Sequence, residues 1–471
     1  MKKEMSVSLA LLPIFAIIIT GALSVFIWGA GMHFPLIFGI IAAALISYLC
    51  GWKWEEIQTM MVNGVSRALP AVFILLIIGT IIGSWIASGV IPTIIFYGLT
   101  IIKPEIFVPI VAIVTGIVAV TLGSSFTSIA TIGLAFMVIG EGLGFPAALV
   151  AGAVISGAYF GDKLSPASDT TNVAPAMADT DLFSHVKHML WDTIPAFAIS
   201  ILLFWIISNT DAGSGITDTA TINSLKNGLN DIFVIHPLLL GMPILTIILM
   251  IRRTPAIPTL ITVSLLGALL AVFVQGVSIG NIIQTMTSGF TGESDLEAIK
   301  SLLNQGGLTS MLGTIAILIL ATALGGILET SGAFHVLTRK MMAKVRKTSS
   351  LITSTIFATF VVAFSTGAQF LAIILPARTL VDKYKEMGID TKNLSRAVEA
   401  AGTVGINLVP WGVPAVFAAG IFGLSPEEFI PFSFFVFLVP LVNILFGFTG
   451  WTISRKNYDN ESTLEKGEHT A

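Results

Sequence analysis

A dense polar segment at residues 161–172 contains the side chains best suited to chemistry. It reads Gly-Asp-Lys-Leu-Ser-Pro-Ala-Ser-Asp-Thr-Thr-Asn and lies between two long apolar segments. It holds two carboxylates, Asp162 and Asp169, and one ammonium, Lys163, together with several hydroxyls. At membrane depth, such groups are tolerated only when they are buried in protein or line a water-filled cavity. The segment therefore predicts either a cation-binding site or an ordinary solvent loop.

A site that exchanges a cation for a proton requires a carboxylate that holds one or the other, but never both. Asp162 and Asp169 are the candidates, and two carboxylates that share one site titrate as a coupled pair. Lys163 could pair with one of them after the cation leaves, which would make it part of a switch. The alternative is that Asp162 and Lys163 form an ordinary interfacial ion pair at a helix end.

The composition indicates the kind of protein in which this segment lies. Of its 471 residues, 55% are hydrophobic and 11% are charged, and the mean hydropathy is +0.92. Soluble domains carry about 25% charged residues. Apolar runs of about 20 residues, each long enough to cross a hydrocarbon core, follow one another along the chain. These features predict an all-α polytopic membrane protein, and no basic block suggests a nucleic-acid partner.

The apolar runs divide the chain into two membrane domains. In the first domain, residues 1–209, helices are predicted at 7–29, 32–50, 68–91, 106–122, 124–141, 145–160 and 182–209. In the second domain, residues 233–451, they are predicted at 233–251, 257–275, 308–331, 349–365, 368–387, 394–424 and 429–451. Residues 210–232 are predicted to be a hydrophilic linker loop, and residues 452–471 a polar C-terminal tail that is disordered from Arg455 onward.

Several short matches in the same order indicate that the two domains repeat. Ile-Gln-Thr-Met occurs at 57–60 and again at 283–286, and Gly-x-x-Leu-x-Pro occurs at 161–166 and again at 405–410. Lys and Arg in the short loops share one side of the membrane only if each domain makes an odd number of crossings. This parity predicts two inverted-topology repeats, with re-entrant hairpins and broken helices around a site near the midplane. It also places both termini in the cytoplasm.

The repeat pairs four helix breaks. Residues 123–128 correspond to 366–369, and residues 161–172 correspond to 405–414. A broken helix exposes carbonyl groups that can bind Na⁺ and N-termini that favour anions. Because the second-domain breaks contain no carboxylate, most of the ion chemistry is predicted in the first domain.

The predicted site residues fall into four groups. The ion- and proton-binding side chains of the first domain are Asp162, Asp169, Ser124, Ser125, Thr127, Ser165, Ser168, Thr170 and Asn172, with Na⁺ itself at Asp162, Asp169, Ser124 and Ser125. The second-domain site is Thr366, Gln369, Glu399, Thr403 and Asn407. An anion could contact Lys163 or Arg378, although Arg378 could equally reach the cytoplasmic face. His185 and His188 lie just before an apolar run that begins at residue 189 and could sense pH, although loop histidines are commonly idle.

The absence of two motifs disfavours a nucleotide-driven protein and a metalloenzyme. The sequence contains neither a G-x-x-x-x-G-K-[ST] nucleotide loop nor an H-E-x-x-H metal motif. No histidine lies near the breaks to activate Ser124 or Ser125, so a hydrolase is disfavoured as well. We therefore expect a protein without enzymatic activity or a cofactor, driven by an ion gradient or by a partner subunit.

The polar segment also carries a family resemblance. Residues 161–171, together with Gly-Ser-Ser at 123–125 and the region 402–414, resemble the NhaC family of bacterial Na⁺/H⁺ antiporters. The resemblance extends over nearly the whole chain. It implies a multi-pass antiporter of the bacterial cytoplasmic membrane, with inverted repeats, hairpin tips and broken helices around the site. Homodimers are common in the superfamily to which this family belongs.

The resemblance leaves two transport activities open. The family also contains a malate/lactate antiporter that couples organic anions to Na⁺ and H⁺, and no residue in this sequence separates the two activities. Exchange of Na⁺ for H⁺ by alternating access is the main hypothesis, and Na⁺/H⁺-coupled carboxylate exchange is the alternative. A non-transporting membrane subunit or receptor is the third, which paired polar breaks in both domains disfavour.

Overall fold

The part of the chain that the computed structural model describes is helical. It comprises residues 5–28, 30–101, 104–166, 168–210, 219–252, 254–292, 300, 303–304, 306–333, 336 and 345–456. Within these residues, eight helices are long and apolar enough to cross a membrane, and up to eleven if each sharply bent helix pair is one span. The prediction of an all-α polytopic membrane protein is confirmed.

The helices of the first domain follow the predicted runs closely. They are α1 (Val7–Ala22), α2 (His33–Leu49), α3 (Trp54–Ser66), α4 (Leu69–Ala87), α5 (Val90–Ile101), α6 (Phe107–Leu122), α7 (Ser125–Gly142), α8 (Ala147–Leu164), α9 (Asp169–Met177) and α10 (Leu182–Ser208). Helix α5 was not predicted, because its sequence continues the apolar run of α4. The glycine between them, Gly89, has φ +78° and so separates two helices without any polar loop.

The helices of the second domain also agree with the predicted runs, except at residues 279–288, where no helix was predicted. They are α12 (Gly241–Ile251), α13 (Ala256–Gln275), α14 (Ile279–Ser288), α15 (Leu312–Thr330), α16 (Thr348–Thr366), α17 (Gln369–Glu386), α18 (Lys392–Leu408), α19 (Val413–Phe422) and α20 (Phe434–Thr449). Between α18 and α19 the chain bends by 44°. The predicted break at 405–414 is therefore present.

Two segments predicted to be irregular are ordered. The described part of the linker forms a helix, α11 (Thr219–Ile232), because its few apolar side chains recur at helical spacing. Leu225 and Leu229 are buried, while the ammonium of Lys226 lies 4.7 Å from the centre of the Phe96 ring. At the other end, residues 451–456 are also ordered, and the backbone of Arg455 pairs with that of Ile389, although disorder was predicted from Arg455 onward. Residues 211–218 and 457–471 lie outside the described part.

Helices of each domain pack against the other domain. Helices α2 and α3 contact α15, and helices α13 and α14 contact α4. The repeat and its inverted orientation both remain predictions. Glycines allow the close approach: a Cβ atom on Gly64 would lie 2.1 Å from the carbonyl oxygen of Thr322, and one on Gly326 would lie 2.2 Å from that of Met60.

Small residues also bring α6 and α8 together. A Cβ atom on Gly157 would lie 2.2 Å from the carbonyl oxygen of Ala112, and one on Gly161 would lie 2.4 Å from that of Gly116. Such contacts let two backbones pack without intervening side chains, as is common between membrane helices. The next residue after Gly161 is Asp162, so this packing fixes the position of the first carboxylate.

We predict that Gly326→Ala destabilises the protein while Gly313→Ala does not. Both glycines lie in α15, but an added Cβ atom on Gly313 has no atom within 4 Å. At Gly326 the backbones must separate, and a cost of about 2 kcal/mol or more is expected despite a gain of about 1 kcal/mol in helix propensity. Thermal unfolding in detergent measures both variants. Equal melting temperatures would show that the α3–α15 crossing tolerates a side chain.

Candidate functional site

The first helix break presents a hydroxyl to a buried carboxylate. Helix α6 ends at Gly123, whose φ is +67°, and the Ser124 side chain caps α7 by accepting a hydrogen bond of 3.3 Å from the amide of Thr127. The Ser125 hydroxyl then donates a hydrogen bond of 2.6 Å to Oδ2 of Asp162. Both side chains are buried. The structure therefore brings together two of the four predicted Na⁺ ligands.

The second break lies at the end of α8, where some of the predicted ligands are buried and others are exposed. Ser168 caps α9, and its hydroxyl lies 3.1 Å from that of Thr170. Ser165, Ser168 and Thr170 are buried, whereas Asp169 and Asn172 are exposed. The Asn172 side chain donates to the carbonyl oxygens of Pro166 (2.8 Å) and Ser168 (2.7 Å), and so stabilises the loop. Of the two aspartates, only Asp162 lies in the interior.

The second domain contributes buried oxygens that have no partner. Glu399, Thr403 and Asn407 follow one another at four-residue intervals in α18, and all three are buried. Within the described part of the chain, Glu399 Oε2, Thr403 Oγ1, Asn407 Oδ1 and the hydroxyl of Tyr159 make no hydrogen bond. Buried polar atoms rarely lack a partner, so four in one place indicate a site for a bound species.

These oxygens meet the first-domain carboxylate. The Thr171 hydroxyl lies 3.1 Å from the carbonyl oxygen of Asp162 and 3.5 Å from Oε1 of Glu399. Glu399 is close enough to Asp162 to interact with it electrostatically, and Tyr159 faces Ser125 and Asn407. We name these seven residues the oxygen cluster: Ser125, Tyr159, Asp162, Thr171, Glu399, Thr403 and Asn407. Two carboxylates among neutral oxygens can bind a monovalent cation or protons.

A buried ion pair borders the oxygen cluster. The ammonium of Lys163 lies 2.7 Å from both carboxylate oxygens of Asp192 and donates to the hydroxyl of Thr193 at 2.9 Å. Asn443 also donates to Asp192, and its own side-chain oxygen accepts a hydrogen bond of 3.0 Å from Nε of Arg396. All of these side chains are buried. Lys163 is thus bound to Asp192 rather than to a carboxylate of the cluster.

Sequence reasoning missed Asp192, Arg396, Asn443 and Tyr159. The signal for Asp192 and Asn443 was present, since each is a polar residue within a long apolar helix, and such residues are costly unless they have a role. Arg396 is likewise a charged residue within a predicted membrane helix, the one at 394–424. The partners could not be read from the sequence, because Asp192 is separated from Asn443 by 251 positions.

The remaining second-domain candidates lie at the other break. Helix α16 ends at Gly367 (φ +62°), and the carbonyl oxygen of Gly367 accepts a hydrogen bond of 2.8 Å from the amide of Val413. Thr366 accepts from the amide of Ala368 at 3.1 Å, and Gln369 donates to the carbonyl oxygen of Thr403 at 3.3 Å. These residues therefore support the backbone next to the cluster. Arg378 is exposed and contacts the sulfur of Met177, away from the cluster.

The two histidines lie within the helix predicted at 182–209 and are buried, so the interpretation of them as loop histidines is wrong. His185 and His188 belong to α10, which begins at Leu182 because Asp181 caps it, and both are buried. His185 Nδ1 lies 2.8 Å from the hydroxyl of Ser395, and His188 Nε2 lies 3.2 Å from Oδ1 of Asn393. They join α10 to α18, and pH sensing stays a prediction.

The ordered segment at residues 451–456 packs against the start of α18. The carbonyl oxygen of Ser454 accepts hydrogen bonds from Asn393 Nδ2 (2.8 Å) and from the amide of Asp390 (3.1 Å). Nη1 of Arg396 donates to the Thr452 hydroxyl at 3.0 Å. Arg396 therefore links this segment to Asn443, and through Asn443 to Asp192.

A cavity of about 690 Å³ reaches the break at 405–414. Its lining includes His33, Glu141, Thr314, Glu427 and Pro410, the last of which belongs to the break. The cavity therefore lies next to this break.

Comparison with known proteins identifies relatives across the full length. A family model described as "Na+/H+ antiporter family" matches residues 3–171 and 157–451. The chain is 38% identical to the Na(+)/H(+) antiporter NhaC of Alkalihalophilus pseudofirmus, over 97% of this chain and 98% of that protein. It is 37% identical to the malate-2H(+)/Na(+)-lactate antiporter of Bacillus subtilis, over 87% of each. It is 34% identical to the arginine/ornithine antiporter ArcD of Halobacterium salinarum, over 100% of this chain and 97% of that protein.

We predict that Tyr159→Phe costs less stability than Tyr384→Phe. Both hydroxyls are buried, but only that of Tyr384 has a partner, Thr355 Oγ1 at 2.9 Å. Loss of the paired hydroxyl is expected to cost about 1 kcal/mol, whereas loss of an unpaired one is neutral or stabilising. Thermal unfolding in Na⁺-free detergent solution compares the two. An equal loss would mean that the Tyr159 hydroxyl serves the fold and not a bound species.

Proposed function

This chain belongs to the Na⁺/H⁺ antiporter family, and on that premise we propose that it exchanges Na⁺ for H⁺ across the membrane by alternating access. It is a multi-pass membrane protein. We place it in the bacterial cytoplasmic membrane with both termini inside, because Lys and Arg in its short loops then lie on the cytoplasmic side.

The oxygen cluster is the observation that carries this proposal. Asp162 is buried and hydrogen-bonded to Ser125, and unpartnered oxygens of Glu399, Thr403 and Asn407 lie beside it. Acceptor oxygens with two carboxylates suit a small hard cation and repel an anion. A carboxylate that takes a proton loses the charge that holds Na⁺, so the two ions exclude each other at the same oxygens. Mutual exclusion is what exchange requires.

The location of the cluster suits alternating access. Asp162 lies on α8 of the first domain and Glu399 on α18 of the second, and each of these helices ends at a break. A movement of one domain against the other can therefore expose the same oxygens to either side of the membrane. With the N-terminus inside, residues 31–33 follow one crossing, so the cavity that they line provides the outer route.

Carboxylate exchange is the second candidate, favoured by the 37% identity to the malate/lactate antiporter. The surroundings of Lys163, Arg396 and Arg378 do not favour it. Lys163 is bound to Asp192, Arg396 is bound to Asn443 and Thr452, and Arg378 is exposed beside Met177. Recognition of a dicarboxylate generally uses an arginine fork that is free to bind both oxygens.

We predict that Asp162→Asn abolishes Na⁺-driven proton movement while Asp169→Asn weakens it. A buried charged ligand is worth several kcal/mol, so Asp162→Asn should lower the rate by about 30-fold or more. Asp169 is exposed in the first turn of α9, and its loss should cost less than about tenfold. Proton flux in proteoliposomes measures both. The proposal fails if both variants exchange Na⁺ as the unaltered protein does.

We predict that Na⁺ alone collapses an imposed pH gradient in proteoliposomes that contain the purified protein. The oxygen cluster needs no organic anion to bind Na⁺ or H⁺, so malate and lactate on opposite sides should add little. Protein-free liposomes provide the control. If protons move only when the organic acids are present, the chain is a carboxylate exchanger, and Lys163 and Arg378 become the residues to test.

A further inference from the structure

The carboxylate of Asp192 is bound by side chains of the protein on both of its oxygens, which a ligand for a transported cation would not require. Its carboxylate receives two contacts of 2.7 Å from Lys163, a 3.1 Å hydrogen bond from Thr193, and a hydrogen bond from Asn443. It is fully buried, as is Lys163. A buried ion pair adds little net stability compared with a neutral pair of the same size, so its presence calls for another reason.

The position of Lys163 suggests that reason. Lys163 follows Asp162 directly in α8, and successive side chains of a helix point in different directions. Asp162 therefore faces Ser125 on α7, while Lys163 faces Asp192 on α10. Lys163 is nevertheless close enough to Glu399 to interact with it electrostatically, and Oε2 of Glu399 has no partner. Without Asp192, the flexible ammonium would find its next carboxylate in the oxygen cluster.

The charge balance leads to the same conclusion. The fully or nearly fully buried carboxylates of the described part are Asp162, Asp192 and Glu399, and the buried cations are Lys163 and Arg396. Three negative groups against two positive ones leave room for one monovalent cation. Removal of the Asp192 charge cancels this excess, and with it the electrostatic drive to bind Na⁺.

We propose that Asp192 is a positioning residue that keeps the Lys163 ammonium neutralised and outside the oxygen cluster, so that the cluster stays available to Na⁺ and H⁺. Asn443 and Arg396 hold Asp192 in turn, because the bond from Arg396 to Asn443 Oδ1 directs the amide group of Asn443 at Asp192. The proposal rests on the proposed function, since it assumes that the cluster is the cation site. In this proposal, the Lys163 ammonium would compete with Na⁺ for the oxygen cluster if Asp192 did not bind it.

The test compares Asp192→Asn with the double variant Lys163→Met/Asp192→Asn in proteoliposomes. In the single variant the released ammonium competes with Na⁺, so KM for Na⁺ should rise by about tenfold or more, with a smaller change in kcat. In the double variant no ammonium remains, and a neutral buried pair is tolerated, so KM should return to within about threefold of the original value. Rescue of KM for Na⁺, and not of stability alone, is the result that a merely structural role would not give.

A matched control and a second readout keep the test decisive. Asp179→Asn removes an exposed aspartate that is paired with Lys385 at 2.7 Å, and it should leave KM unchanged. The rise in melting temperature caused by NaCl in detergent reports Na⁺ binding without transport, and it should follow the same order across the variants. If Asp192→Asn does not accumulate, Asn443→Leu replaces it, with a smaller rise in KM.

Two results would overturn the inference while the proposed function stands: an unchanged KM in Asp192→Asn, or an increase that Lys163→Met does not reverse. If the unaltered protein moves no protons in response to Na⁺, the proposed function fails. The NaCl-dependent melting temperature then decides the inference alone, since loss in the single variant and recovery in the double variant would support it. The absence of that pattern would refute it.

Discussion

A carboxylate buried within a membrane protein is tolerated only where other groups replace the water that it has lost. Asp162 meets this requirement in part with a hydrogen bond of 2.6 Å from the hydroxyl of Ser125 across a helix break. That bond exists because Gly123 ends α6 in the left-handed region and turns the chain so that Ser125 faces α8. The glycine contacts between α6 and α8 set the distance. The helix break at Gly123, the close packing of α6 on α8 and the position of Asp162 therefore depend on one another.

The buried carboxylates of Asp192 and Glu399 differ in how far the protein itself supplies their hydrogen bonds. Asp192 is surrounded by a cation, a hydroxyl and an amide, so its hydrogen-bonding needs are met within the protein. Glu399 retains an oxygen without a partner, beside further free oxygens of Thr403 and Asn407. A satisfied group stabilises one arrangement, whereas an unsatisfied one gains from a bound ion. The surroundings of Asp192 therefore favour a single arrangement, whereas the oxygens near Glu399 can bind either Na⁺ or H⁺.

The sequence predicted much of this fold and part of the site. Apolar runs and the breaks at Gly123 and residues 161–172 lay where the structure has them, because length, hydropathy and helix-breaking residues are local properties. The contact between Asp162 and Ser125 followed from two such breaks. The proximity of Asp162 to Glu399 could not be derived from the sequence, because it depends on how α8 packs against α18. Asp169 was ranked equal to Asp162 because exposure is not visible in a motif. Helix α11 was missed because a hydropathy average hides an amphipathic pattern.

The segment at residues 451–456 has a consequence for how the molecule is made. It closes over the start of α18 through Ser454, and it shares Arg396 with Asn443. A ribosome reaches these residues about 50 positions after it has produced α18, so the contacts that fix Arg396 form late in biogenesis. The second-domain half of the interior therefore stays unfinished while the nascent chain is still being inserted. A chain that stalls near residue 450 would hold every described spanning helix but would lack this closure.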